Sequence, residues 1–142
     1  MQTQAMSPVT LDELAAFLQR EFPQTRVTVE SIEADEVLVA HEVGAAELRP
    51  GGTVSGPVMM TVADVALYVA ILARIGLVPL TVTTSLSINF LRKPRADSRI
   101  LGRCRLMKLG KSLAVGEVWI YSEGADEPVA HATGTYSIPR ER

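Results

Sequence analysis

The sequence predicts an α+β fold in which an antiparallel sheet wraps one long central helix, and three observations carry that prediction. Thr53–Gly76 is apolar on nearly every side, with one carboxylate, Asp64, in its middle; a helix of that kind has to be enclosed by other elements. Beyond Gly76 the apolar period changes to two and stays there through four consecutive segments, the pattern of half-buried strands. Two shorter alternating segments precede the helix, and runs of strands beside one helix give an α+β layout. No internal repeat or linker interrupts residues 1–142, so the chain reads as one domain.

Met1–Pro8 carries no pattern and reads as a loose tail. Thr10-Leu-Asp-Glu13 is a capping box, with Val9 and Leu14 placed as its hydrophobic staple. It opens a short accessory helix, Leu11–Glu21, that stops before Pro23 and aligns Leu11, Leu14, Ala15 and Leu18 on one face. Such a helix serves as a lid or a brace. Arg26–Ile32 and Glu36–Glu42 alternate around a turn at Glu33–Asp35, a hairpin. Val43–Gly52 is a loop whose Pro50, Gly51 and Gly52 let the backbone approach another group closely. Ser55 or Gly56 can cap the central helix, Pro57 suits its first turn, and Gly76 is placed to end it. In the next strand Leu80, Val82, Thr84, Leu86, Ile88 and Phe90 fall on one face, and Thr81, Thr83, Ser85, Ser87 and Asn89 on the other. Pro94 ends it. Arg99–Leu109, Ser112–Ser122 and Val129–Ile138 are three further strands, with turns at Lys108–Lys111 and Glu123–Pro128.

Composition narrows the function classes. The chain has 142 residues, 47% apolar and only 5% aromatic, so the core is mostly aliphatic. A net charge of −2 argues against nucleic-acid binding by bulk charge. Cys104 is the sole cysteine and cannot form an internal disulfide; no basic-then-apolar leader is present, and a cytoplasmic location is expected. A membrane-spanning helix needs ~20 apolar residues, whereas Asp64 and Arg74 interrupt this run. A core helix is expected, with no membrane contact.

Asp64 is the residue that demands explanation, because an ionised carboxylate among apolar side chains is costly unless partnered. Either it is half-exposed and hydrogen-bonded to a neighbour such as Thr61, or it is a catalytic base in an apolar site. His41 and His131 supply no metal-ligand spacing, so no metal is expected. No Gly-x-Ser-x-Gly elbow exists, Cys104 has no partner nearby in sequence, and Gly51–Gly56 lacks the lysine of a phosphate loop. Eight of the 14 Lys and Arg residues lie between Arg92 and Lys111 against one acid, Asp97. That run is either a solvated face, since Arg99, Arg103 and Arg105 share parity, or a seat for an anionic ligand.

Three motifs give a more specific reading: Pro50-Gly-Gly-Thr-Val-Ser-Gly-Pro57, Thr61-Val-Ala-Asp-Val-Ala66 and Ser87-Ile-Asn-Phe-Leu-Arg-Lys-Pro94. Together they resemble the hotdog-fold acyl-CoA thioesterases of the phenylacetic acid degradation type, over about Leu48–Ile138. The resemblance implies a sheet wrapped around the central helix and two subunits that join their sheets. By position, Asp64 matches the catalytic acid, which acts as general base or nucleophile. Gly56 matches the glycine whose N–H polarises the thioester carbonyl, and Thr83 the hydroxyl that helps position the attacking water. The family's usual His-Gly-Gly is Ser55-Gly56-Pro57 here, and an asparagine of the preceding loop falls near Arg49. Ser55, Pro57, Arg49, Asn89, Arg92, Lys93 and Arg95 are then expected around the substrate. Coenzyme A enters as part of that substrate, with no separate cofactor.

Geometry adds a constraint that does not depend on the resemblance. Asp64 follows Gly56 by eight residues, about 12 Å along a helix axis. A base and an oxyanion donor must both stand ~3 Å from one reacting group. One helix cannot supply both, whereas two antiparallel copies can, so a homodimer or a dimer of dimers is expected. The leading function is acyl-CoA hydrolysis. The alternatives are a non-catalytic dimer binding acyl-CoA or an aromatic ligand, and a dehydratase acting on 3-hydroxyacyl thioesters.

Overall fold

A computed structural model describes residues 9–44 and 47–140. The tail expected over Met1–Pro8 lies outside them. The order is α1 (Leu11–Glu21), β1 (Val27–Ile32), β2 (Val37–His41), β3 (Leu48–Arg49), β4 (Thr53–Val54), α2 (Gly56–Ile75), β5 (Val82–Phe90), β6 (Ile100–Leu109), β7 (Leu113–Ser122) and β8 (Ala130–Ser137). Six strands form one antiparallel sheet in the order β1-β2-β6-β7-β8-β5, and β3 and β4 pair separately. The α+β class with one long enclosed helix is thus what the chain adopts.

Helix α2 is the axis of the core. Val62, Ala63, Ala66, Leu67, Val69 and Ile71 are sealed from solvent along it, because the sheet closes on more than one of its sides. Ser55 caps its start in extended conformation without a side-chain bond to the first turn, and Pro57 sits within that turn. At the far end Gly76 adopts φ 101° and ψ 176°, a combination open essentially to glycine alone. The sheet comes close because three of its inward positions are glycines. A Cβ at Gly102, Gly116 or Gly134 would stand 2.7 Å from Val62 Cγ1, 2.8 Å from Leu67 Cδ2 and 2.5 Å from Leu67 Cδ1.

Helix α1 opens with the expected capping box: Glu13 N–H donates to Thr10 Oγ1 and Thr10 N–H to Glu13 Oε1. Its buried face differs from the expected one. Leu14, Phe17 and Leu18 go in, while Leu11 stays exposed, because Phe17 rather than Leu11 continues the stripe toward β1 and α2. The loop expected over Val43–Gly52 contains β3, and Thr53–Val54 is strand rather than helix. Gly51 and Gly52, at φ 95° and 74°, make the turn between β3 and β4.

The largest departure concerns β5. Its pairing with β8 shifts between Thr83, opposite Tyr136, and Ser85, opposite Thr135. Thr84 is the extra residue of a β-bulge, and such a bulge reverses the parity of everything beyond it. Thr83 therefore shares the inner face with Leu86, Ile88 and Phe90, and the single apolar face read from Leu80 to Phe90 does not exist. β5 also ends the sheet: β8 pairs with it on one side, and Val82 and Phe90 are each about half exposed.

Candidate active site

Asp64 lies half-buried on α2, at the wall of a cleft of about 610 Å³ between α1, α2 and the start of β5. Its carboxylate is partnered. Thr83 Oγ1 donates to Oδ1 at 2.7 Å, and Tyr136 OH donates to the same oxygen at 2.5 Å and to the Asp64 backbone carbonyl at 2.8 Å. Thr61, the neighbour considered from sequence, is exposed and does not bond to it. The local turn of α2 makes Thr61 adjacent in sequence, whereas the bulge in β5 and the register of β8 make Thr83 and Tyr136 adjacent in space. Because both hydroxyls converge on Oδ1, no donor among the described residues meets Oδ2, which keeps its lone pairs for a water or a substrate.

Tyr136 was not among the residues singled out by sequence. The signal was present: in Val129–Ile138 the inward row reads Ala130, Ala132, Gly134, Tyr136, Ile138, with one hydrogen-bonding tip. Burial, then the charge of Asp64, pushes its phenol well above the ordinary tyrosine range, so it remains a proton donor to the carboxylate. His41 also lines this cleft, buried at the end of β2, with Nδ1 2.6 Å from the Glu42 carbonyl. Set aside as a metal ligand, it reaches the cleft from the end of β2, beside the strand β1 on which α1 packs. At the rim, Arg26 pairs with the buried carboxylate of Glu47 at 2.9 Å, and Gly44 N–H donates to Glu47 at 2.6 Å, fixing the loop against β1.

Gly56 occupies a different cleft, of about 620 Å³, with Arg49, Pro57, Phe90, Arg92 and Lys93. The two clefts share no lining residue. As the first residue of α2, Gly56 offers an N–H with no intrahelical acceptor, at the positive end of the helix dipole. The Phe90 ring stands against the side-chain position of Gly56: a Cβ there would lie 3.2 Å from Phe90 Cζ. Arg95 lies in an adjoining depression, its N–H on Ser122 Oγ and its side chain on Asp97. Ser55 and Asn89 line neither cleft; Ser55 N–H ties the helix start to the Glu47 carbonyl, and Asn89 stands opposite His131 on the outer face.

The basic run divides in the fold. Arg99 meets Glu123 at 2.8 Å and Glu30 at 3.3 Å, Arg103 meets Glu36 at 2.7 Å, and Arg105 meets Asp35 at 3.7 Å. Those three form a paired outer face. Arg92, bound to the Pro128 carbonyl, and Lys93 remain at the Gly56 cleft. Cys104 is wholly buried, and burial pushes its thiol up to about 12, which excludes it as a thiolate nucleophile at neutral pH.

Comparison with known proteins agrees with this architecture. The sequence pattern described as Thioesterase superfamily matches residues 51–129, which include Gly56, Asp64 and Thr83. Among solved structures, a Silicibacter sp. TM1040 protein provisionally described as a thioesterase is 45% identical, with 96% of each chain covered and a TM-score of 0.87. A variant of the phenylacetic acid degradation protein PaaI from Thermus thermophilus is 27% identical over 87% of this chain and 99% of that one, TM-score 0.70. A Streptococcus mutans UA159 protein bound to acetyl CoA shares the fold at 24% identity, covering 82% and 90% of the two chains, TM-score 0.70. No curated protein matches the chain. With more than half of its residues matched, and with the wrapped helix carrying Asp64 in place, the chain belongs to the Thioesterase superfamily.

Proposed function

We propose that the protein hydrolyses acyl-CoA thioesters, as a PaaI-like hotdog enzyme whose sites are shared between two copies of the chain. The observation that carries this reading is the Asp64 carboxylate, held through Oδ1 by Thr83 and Tyr136 with Oδ2 left for a water at the wall of a cleft. In the proposed reaction Asp64 takes a proton from that water as its oxygen attacks the thioester carbon. The carbonyl oxygen develops charge against the Gly56 N–H of the other copy. The C–S bond then breaks, the coenzyme A thiolate leaves and is protonated, and the carboxylic acid departs. The absence of the family's histidine before Gly56 leaves this donor in place, because the donor is a backbone N–H.

Sharing follows from the separation of the two clefts within one chain. It is supported by β5, a nine-residue edge strand whose unpaired backbone and half-exposed Val82 and Phe90 suit a second copy. The Gly56 cleft, with Arg49, Arg92 and Lys93, suits the phosphates of coenzyme A. Light scattering at assay concentration, together with hydrolysis of a panel of acyl- and aryl-CoAs, tests the reading. A dimer or larger assembly that releases coenzyme A is expected; an active monomer would end the shared-site mechanism. Binding of the panel without turnover would favour a non-catalytic acyl-CoA dimer instead.

The phosphate seat makes a separate expectation. Arg49 and Lys93 form no ion pair with the described residues, so reversing both charges leaves no buried partner stranded. Exposed contacts of this kind are each worth up to about 1 kcal/mol. The Arg49→Glu, Lys93→Glu double variant should raise KM for acyl-CoA about tenfold at low salt, with kcat little changed. An unchanged KM would show that both side chains are merely solvated.

A further inference from the structure

The Asp64 cleft carries polar groups that water activation does not use. Most of its wall is apolar or aromatic: Leu18, Phe22, Val65, Tyr68 and Pro79 line it, with Phe22 and Tyr68 edge to face at 5.4 Å. Tyr68 is already committed, its hydroxyl donating to the Pro79 carbonyl at 3.2 Å. His41 is not. A carbonyl only accepts, so the 2.6 Å contact with the Glu42 carbonyl places the proton of the neutral ring on Nδ1. Nε2 is left with a lone pair, no described residue donates to it, and this buried ring forms part of the wall of the cleft.

A second residue of the same wall makes the same point independently. Among the described residues, Thr81 Oγ1 is the buried side-chain oxygen or nitrogen without a hydrogen-bond partner, and Thr81 is 3% exposed. A hydroxyl in that condition carries a penalty comparable to a lost hydrogen bond. A valine would fill the same volume without that penalty, and rotation about the Cα–Cβ bond brings the Thr81 hydroxyl to the position its methyl now occupies.

We propose that His41 is a specificity-determining residue that accepts a hydrogen bond from a hydroxyl on the acyl group, with Thr81 as its auxiliary, so that the cleft selects hydroxylated acyl chains over plain hydrocarbon ones. The proposal rests on the thioester reading for the identity of the ligand. It is specific about the direction of the bond: a bare ring nitrogen reads a donor, so a hydroxyl is selected and a ketone is not.

The test separates binding from turnover by using coenzyme A thioethers, which cannot be hydrolysed. S-hexyl-coenzyme A and its singly hydroxylated positional isomers are titrated by calorimetry into the full-length protein. One isomer should bind about tenfold more tightly than the plain thioether. His41→Phe keeps a ring and removes the acceptor, and should bring that ratio to within about twofold; His41→Gln, which retains an acceptor, should recover part of it. Thr81→Val should lower the ratio and melt no lower than the parent. Equal binding of all isomers by the parent overturns the proposal, whatever the variants do, and so does a preference that survives His41→Phe. Hydrolysis of hexanoyl-CoA, measured beside it, reports on the thioesterase reading alone. Turnover without isomer preference removes His41 and Thr81 from specificity, whereas isomer preference without turnover keeps them and removes hydrolysis.

Discussion

Asp64→Asn should lower thioester hydrolysis by about 10²–10⁴-fold while leaving the fold intact. The amide oxygen can still accept from Thr83 and Tyr136, whose bonds to Oδ1 are 2.7 and 2.5 Å, so stability should change by less than about 1 kcal/mol. What disappears is the proton acceptor. Tyr136 cannot stand in for it, because burial, the main cause of its raised pKa, still holds the phenol protonated in the variant. The carboxylate is half-buried and doubly hydrogen-bonded rather than stranded in an apolar core, so no gain in melting temperature is expected from neutralising it. Steady-state hydrolysis and a melting curve of one variant decide the matter. Parental turnover in Asp64→Asn would remove Asp64 from the reaction as its base.

The second large effect is on stability. Gly134→Ala should destabilise the chain by about 1–3 kcal/mol, the usual cost of overpacking a filled core. Leu67 straddles two glycines: Cδ2 stands over Gly116 and Cδ1 over Gly134, and Leu67 is fully buried. A methyl on Gly134 cannot be relieved by swinging Leu67 toward Gly116, because that side is equally tight. Shortening the occupant should help, so Leu67→Val in the Gly134→Ala background should recover part of the loss, as coupled neighbours do. Denaturant melts of the two single variants and the double variant measure this. A Gly134→Ala protein as stable as its parent would mean that α2 can lift from the sheet.

Much of this was legible in the sequence. Period two after Gly76, the capping box at Thr10 and the glycine at 76 placed the elements within a residue or two. Their physical causes are local: side-chain alternation, a reciprocal cap and a positive φ. Asp64 stood out as the one carboxylate of an apolar helix, Gly56 and Thr83 were singled out through family motifs, and the fold sets Thr83 on Asp64 and Gly56 in a separate cleft. Tyr136 and His41 were missed because strand pairing between distant segments brings them to the Asp64 cleft, with Tyr136 lying 72 residues away. Asn89 and Ser55 were drawn in by motif membership, yet one faces outward and the other spends its backbone on Glu47. Arg99, Arg103 and Arg105 could not be resolved from sequence, since their acidic partners come from β1, from the β1–β2 turn and from Glu123.

Thr84 makes β5 a strand with two reading frames. Before it, odd-numbered positions face the helix; beyond it, even-numbered ones do. The hydroxyl-rich row is thereby cut in two, with Thr81 and Thr83 on the side of the carboxylate and Ser85, Ser87 and Asn89 turned to the outside. Divergence in this part of the chain is constrained in phase more than in residue type. Serine for threonine at 83 preserves the contact, but a further residue inserted between Thr83 and Leu86 sets the two out of phase. Such an insertion would either turn Leu86 and Ile88 away from the core or carry Thr83 off Asp64, whereas loss of Thr84 itself leaves Thr83 opposite Tyr136 and Ser85 opposite Thr135. A family alignment that slides a gap through this strand would therefore misassign the residue that holds the carboxylate, even where every neighbouring motif is aligned correctly.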